Sequence, residues 1–164
     1  MKYNVIRNEK YDFIGESYST SYPNLHKYPA TMIPEIGIEI FKELDINKGK
    51  LLDPYCGSGS SFTIGLDRGL NEMYGFDINP LAVLISRTKF TKLDIDKVKK
   101  INQRLRIRVY EYVKNEDNLK EIEIPQHYNI DFWFSKPVLQ NLSIIRHFVY
   151  KIEVNMRRIF LLPL

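Results

Sequence analysis

Leu51-Leu52-Asp53-Pro54-Tyr55-Cys56-Gly57-Ser58-Gly59-Ser60 is the stretch that most limits the folds open to this chain. A short apolar run closes on an acid, a glycine-rich turn follows, and a helical pattern begins directly behind it. The next apolar run, Met73 to Phe76, also closes on an acid, Asp77. Gly57 and Gly59 allow a sharp turn and a close backbone approach to a ligand, because neither has a side chain. The helix behind them presents unpaired amides. Strand, glycine turn, helix, strand and acid form the plan of a nucleoside-cofactor site. An isolated Gly-x-Gly is an ordinary turn; the acids at both strand ends point to a cofactor.

Composition sets outer bounds on the rest. The 164 residues suffice for one domain with a real core. Hydrophobic content of 44% with 27% charged residues reads as a soluble globular protein. The net charge of +4 is compatible with a nucleic-acid partner. Cys56 is the only cysteine, which excludes an internal disulfide framework. One cysteine and three scattered histidines argue against a structural zinc site, and no metal is expected. No apolar stretch reaches membrane-spanning length, and Met1-Lys2-Tyr3-Asn4 leads into no apolar signal core. A cytoplasmic location without a membrane partner is the expectation.

Residues 1–24, rich in Tyr, Ser and Asn, read as an N-terminal arm ahead of a domain over residues 25–164. Pro34 should open a helix bearing Ile36, Ile38, Ile40, Phe41 and Leu44. Strands are predicted over Lys50 to Leu52 and Met73 to Phe76, with the intervening helix capped by Ser60 and Ser61. Pro80 should start another helix, to about Phe90. From Asp94 to about Val113, Val98, Ile101, Leu105, Val109 and Tyr112 recur at helical spacing. The other faces of that helix carry Lys97, Lys99, Lys100, Arg104, Arg106 and Arg108, which read first as a solvated surface and second as a phosphate-contacting face. Residues 115–131 read as a polar loop, and Ser135-Lys136-Pro137 opens a helix with Leu139, Leu142, Ile145 and Phe148.

The turn itself narrows the cofactor. A dinucleotide fingerprint places a small residue three positions after the second glycine, where this chain has Phe62. A nucleoside-triphosphate loop needs Gly-Lys-Ser/Thr, and Gly49-Lys50 continues into Leu51. Phe62 weakens the nicotinamide reading, and S-adenosylmethionine is left as the best nucleoside ligand.

Asp53 to Ser60 resembles the S-adenosylmethionine motif of DNA amino-methyltransferases, which often reads Asp-Pro-Phe-x-Gly-Ser-Gly-Thr. Gly75-Phe76-Asp77-Ile78-Asn79-Pro80-Leu81-Ala82 is similar to that family's acidic second motif. Leu25 to Pro34, with Tyr28-Pro29-Ala30 at its centre, resembles the upstream motif that closes over the cofactor. The resemblance covers roughly residues 20–90 and implies an α/β, Rossmann-like methyltransferase fold, here incomplete. It implies that Asp53, followed by Pro54, contacts the methionine ammonium. It places Cys56, Gly57, Ser58 and Gly59 along the cofactor loop. Asp77 would bind the ribose, Ile78 would lie against the adenine with Asn79 beside it, and Tyr28, Pro29 and Ala30 would cover the methionyl end. Duplex DNA is the partner it implies.

The chain departs from the family in one respect. Its later Ser/Asp/Asn-Pro-Pro-aromatic motif, which holds the target amino group and stacks on the flipped base, has no counterpart, because no Pro-Pro occurs anywhere. No catalytic residue is therefore assigned, and Cys56 in the cofactor loop is no substitute nucleophile. The apolar ending Ile159 to Leu164 adds to the expectation of a truncated domain. The expected function is the cofactor-binding portion of a DNA methyltransferase acting on an exocyclic amine of cytosine or adenine. The alternatives are part of an RNA methyltransferase acting on the guanine amine, and a non-catalytic remnant or subunit whose partner polypeptide carries the missing motif.

Overall fold

In the computed structural model, which describes residues 7–17, 22, 25, 26, 28, 29, 31–115 and 122–162, the glycine-turn segment is a βαβ unit. Strand β1 (Lys50–Asp53) and strand β2 (Glu72–Gly75) pair in parallel. Lys50 stands opposite Glu72, and Asp53 opposite Gly75. The Lys50 ammonium pairs with the Glu72 carboxylate at 2.8 Å, locking the register at the end remote from the turn. Among the described residues the sheet has these two strands only, so each keeps one unpaired edge. The expected strands are found within one residue of their boundaries.

The chain divides into two compact units, Met1–Phe90 and Thr91–Leu164. In the first, helix α1 (Pro34–Glu43) begins where Pro34 supplies a helix-ready φ and lacks only an N–H that would be unpaired anyway. Helix α2 (Ser60–Asp67) connects the strands and packs on α1 and β1. Helix α3 (Pro80–Lys89) is capped by Asn79, whose side-chain oxygen accepts the Leu81 N–H at 2.9 Å. Ile64, Leu70, Ala82 and Ile85 are almost wholly buried and form the core, with Phe62 at its margin. The arm contributes a short 3-10 turn, Glu9–Tyr11. Its Lys10 ammonium pairs with Glu39 of α1 at 3.0 Å and also with Glu43, to which the Tyr11 hydroxyl donates as well.

The second unit is helical. Helix α4 (Ile95–Lys114) starts at Asp94, whose carboxylate accepts the Lys97 N–H at 3.0 Å. The apolar stripe expected from the spacing is half-buried and packs on helix α6 (Lys136–Tyr150). Between them lies the single turn α5 (Ile130–Trp133). Helix α7 (Val154–Leu161) then folds back on α6. Leu139, Ile144, Val149, Met156 and Leu162 form this core. Of the apolar residues near the C-terminus, Ile159, Phe160 and Leu161 are half-buried and Leu162, at the end of α7, is buried. The α5 turn and α7 are not apparent in the sequence pattern.

One expected cap is corrected. Gly59, in the left-handed region at φ +84°, is the N-cap of α2, and neither Ser60 nor Ser61 caps it. Only a residue without Cβ takes that backbone cheaply. It also moves the helix start one residue forward, which releases the Ser61 hydroxyl for another bond. No helix among the described residues is long and apolar enough to cross a membrane.

Candidate functional site

The site is built at the C-terminal ends of β1 and β2, where the chain leaves the parallel ladder. Pairing continues past the strands: the Phe76 N–H donates to the Asp53 carbonyl and the Cys56 N–H to the Phe76 carbonyl, both at 3.0 Å. These two bonds hold the loop after β1 against the loop after β2. The loop then closes on itself through the Gly59 N–H to the Cys56 carbonyl at 2.8 Å.

Both acids are fixed by this geometry. Asp53 accepts the Tyr55 N–H at 2.9 Å on one oxygen and the Ser61 hydroxyl at 2.5 Å on the other. Asp77 accepts the Gly57 N–H at 2.8 Å on Oδ2 and the Asn79 N–H at 2.8 Å on Oδ1. The Asn79 side-chain amide donates to the Tyr28 hydroxyl at 3.2 Å, which brings the upstream segment to the same place. The Tyr28 carbonyl in turn accepts the Thr31 hydroxyl at 3.0 Å. Tyr28, Gly57, Asp77 and Asn79 therefore meet, although they come from three separate stretches of chain.

The surroundings divide into buried support and exposed surface. Cys56, Ser58 and Gly59 are buried, and Gly57 is half-buried. Burial pushes the Cys56 thiol above its ordinary value, and the negative charges of Asp53 and Asp77 push it further. Both effects favour the neutral thiol, which is a weaker nucleophile than the thiolate. Ile78 is fully exposed, and Tyr55 and Phe76 are 87% and 66% exposed. Pro29 and Pro54 are also exposed, and Ala30 lies outside the described residues. A cavity of about 400 Å³ lies behind the turn, lined by Cys56, Phe62, Tyr74, Gly75, Ser86 and Phe90 among others. Among the described residues no cluster of His, Cys, Asp or Glu could hold a metal ion.

These residues place two anchored carboxylates beside exposed apolar side chains. Two anchored carboxylates can accept hydrogen bonds from hydroxyl or ammonium groups, and exposed apolar side chains beside them can take a flat ring. Ser61, the partner of Asp53, is the residue that sequence reasoning misplaced. Its signal was present in Gly59: a glycine cap makes the following serines first-turn residues rather than caps.

The chain is similar to curated proteins. The Type II methyltransferase M.MvaI of Kocuria varians is 33% identical over 160 residues, which cover 94% of this chain and 35% of that protein. The Type II methyltransferase M.MjaII of Methanocaldococcus jannaschii is 33% identical over 107 residues, covering 64% of this chain and 20% of that protein. The Type II methyltransferase M.VspI of Vibrio sp. is 33% identical over 104 residues, 57% of this chain and 25% of its own length. The chain thus spans about a third or less of the length of these relatives. No protein-family model matches it, and no solved structure does.

Proposed function

We propose that this chain, a relative of the Type II DNA methyltransferases, is the cofactor-binding portion of such an enzyme. The complete enzyme would methylate an exocyclic amine of cytosine or adenine in duplex DNA. The observation that carries this reading is the meeting of Tyr28, Gly57, Asp77 and Asn79 at the ends of two parallel strands.

The residues present fit S-adenosylmethionine, whose sulfonium supplies an electrophilic methyl group. A carboxylate oxygen accepts about two hydrogen bonds. Each Asp77 oxygen receives one backbone amide, which leaves one position on each for a ribose hydroxyl. Ile78 is open to an adenine face. Asp53 supplies negative charge for the methionine ammonium, and Ser61 holds its carboxylate in place. Tyr28, Pro29 and Ala30 would cover the methionyl end, and Pro54, Cys56, Ser58 and Gly59 would shape the loop. In this reading β1 and β2 are the first strands of a Rossmann-like sheet, and residues 1–24 are an arm on a partial domain over 25–164. The work of these residues is positioning and exclusion of water.

Calorimetric titration with S-adenosylmethionine tests the proposal. The wild-type chain should bind, and Asp77→Ala should weaken binding by about tenfold or more, since a bond to a charged partner contributes about 1.5–3 kcal/mol. A folded wild-type chain that shows no binding would contradict it.

A further inference from the structure

The two units differ in charge. The 24 Lys and Arg divide as 10 in Met1–Phe90 and 14 in Thr91–Leu164, and the 20 Asp and Glu as 11 and 9. The first unit is close to neutral, at −1, and the second carries +5, more than the net charge of the whole chain.

Within the second unit the cations of α4 are ordered. Lys97, Lys100, Arg104 and Arg108 recur at intervals of three, four and four residues, so they form one stripe. Lys99 and Arg106 project from the opposite flank. At 1.5 Å per residue the stripe spaces its charges about 4.5–6 Å apart along the axis. It borders a groove between α4 and α6. One part of that groove, about 280 Å³, is lined by Lys97, Arg104, Leu105, Arg108, Phe148 and Lys151 among others. A second part, about 390 Å³, shares Arg108, Phe148 and Lys151. Two acids face the groove: Glu153, paired with Lys97 at 3.0 Å, and Glu111. Among the described residues Lys100, Arg104 and Arg108 enter no ion pair and are exposed. The Lys151 ammonium lies 5.2 Å above the Phe148 ring.

We infer that this groove is a nucleic-acid-backbone surface, on which Lys100, Arg104, Arg108 and Lys151 hold the phosphates of duplex DNA without reading bases. Regularly spaced, unpaired cations along one groove are complementary to a regularly spaced polyanion. An anionic membrane would also attract them. The apolar stripe of α4, however, is packed on α6 and is not free to enter a bilayer. The inference rests on the proposed function for the choice of DNA, and it adds where the contact is made.

The test is fluorescence anisotropy of a labelled 20-base-pair duplex of arbitrary sequence, titrated with the whole chain from 50 to 200 mM salt. Each phosphate contact contributes about 0.9 to the slope of log affinity against log salt. Arg104→Ala/Arg108→Ala should weaken binding about tenfold or more at 50 mM salt and flatten the slope by about 2. Lys99→Ala/Arg106→Ala, with the same change in charge, should change the slope by less than 1. Circular dichroism confirms that both variants are folded. Equal losses in the two doubles, no duplex binding by wild type, or tighter binding to phosphatidylglycerol vesicles or transfer RNA would each overturn the inference. Calorimetry with S-adenosylmethionine on the same samples reports separately on the proposed function: a chain that binds duplex through this stripe but takes no cofactor would refute that reading alone.

Discussion

Asp77 is held in one orientation by the chain's own backbone. Two amides, from Gly57 twenty residues upstream and from Asn79 just beyond, fix both of its oxygens. A carboxylate held in this way loses little side-chain freedom on binding, which favours affinity. Gly59 makes the arrangement sterically feasible. Its φ of +84° belongs to the left-handed region, and a Cβ there would lie 2.7 Å from Phe90 Cε2 and 2.8 Å from Ser86 Oγ. Gly59→Ala should therefore lose about 1–2 kcal/mol in the backbone and a further ~1–3 kcal/mol from overpacking. Gly69 is the comparison, because it shares a φ of +84° but has nothing within 4 Å of its missing Cβ. Gly69→Ala should show only the backbone part. Thermal melts of the two variants check this, and equal shifts would mean that α3 does not crowd the turn.

At the scale of elements, the arm and α1 form a contact tied by charge. Hydrogen bonds from Lys10 hold Glu39 and Glu43 below the ordinary carboxylate value of 4.5, and Tyr11 adds to the effect on Glu43. The same bonds raise Lys10 and Tyr11. A lowered acid stabilises the folded form above its unfolded pKa and loses that contribution as pH falls through its folded value. The raised Lys and Tyr contribute below their unfolded values and lose it as pH rises through their folded ones. The contact should thus hold at neutral pH and loosen below about 4.5. Lys10 and Glu43 are exposed and Tyr11 and Glu39 only half-buried, so the global stability of the chain should hardly change. Backbone NMR should show the amides of Lys10 and Tyr11 moving toward random-coil shifts on acidification, ahead of those in β1 and β2. Glu43→Gln should blunt that transition, and amides that stay fixed to pH 3 would show that apolar packing holds the arm. The same scale shows what local pattern misses: α5 is a single turn without a repeat of its own, and α7 owes its position to burial of Met156 and Leu162 on α6.

For the molecule as a whole, the expected result is binding without turnover. The turn carries the two anchored carboxylates of Asp53 and Asp77 and a buried Cys56, and the sequence nowhere contains a Pro-Pro-aromatic motif to hold a target amine. Incubated with duplex DNA and S-adenosylmethionine carrying a tritiated methyl group, the purified chain should transfer no label above background. Label on DNA would show that another set of residues performs the chemistry.

The βαβ unit was legible from sequence because its signals are local. Apolar runs of strand length, glycines at the turn and Pro80 after Asn79 each act within a few residues, and so does the helical spacing of α4. The twelve residues proposed for the site are named from motifs alone. The meeting of four of them, Tyr28, Gly57, Asp77 and Asn79, was decided by tertiary structure, because the bonds from Gly57 to Asp77 and from Asn79 to Tyr28 span 20 and 51 positions. Gly59 as cap and Ser61 as partner of Asp53 likewise depend on how α2 leaves the turn. The cations of α4 were visible as a run of charge; only packing against α6 turned one flank of that helix into the wall of a groove. Periodicity determines which residues share a face, whereas the neighbour that covers the face is fixed by contacts distant in sequence.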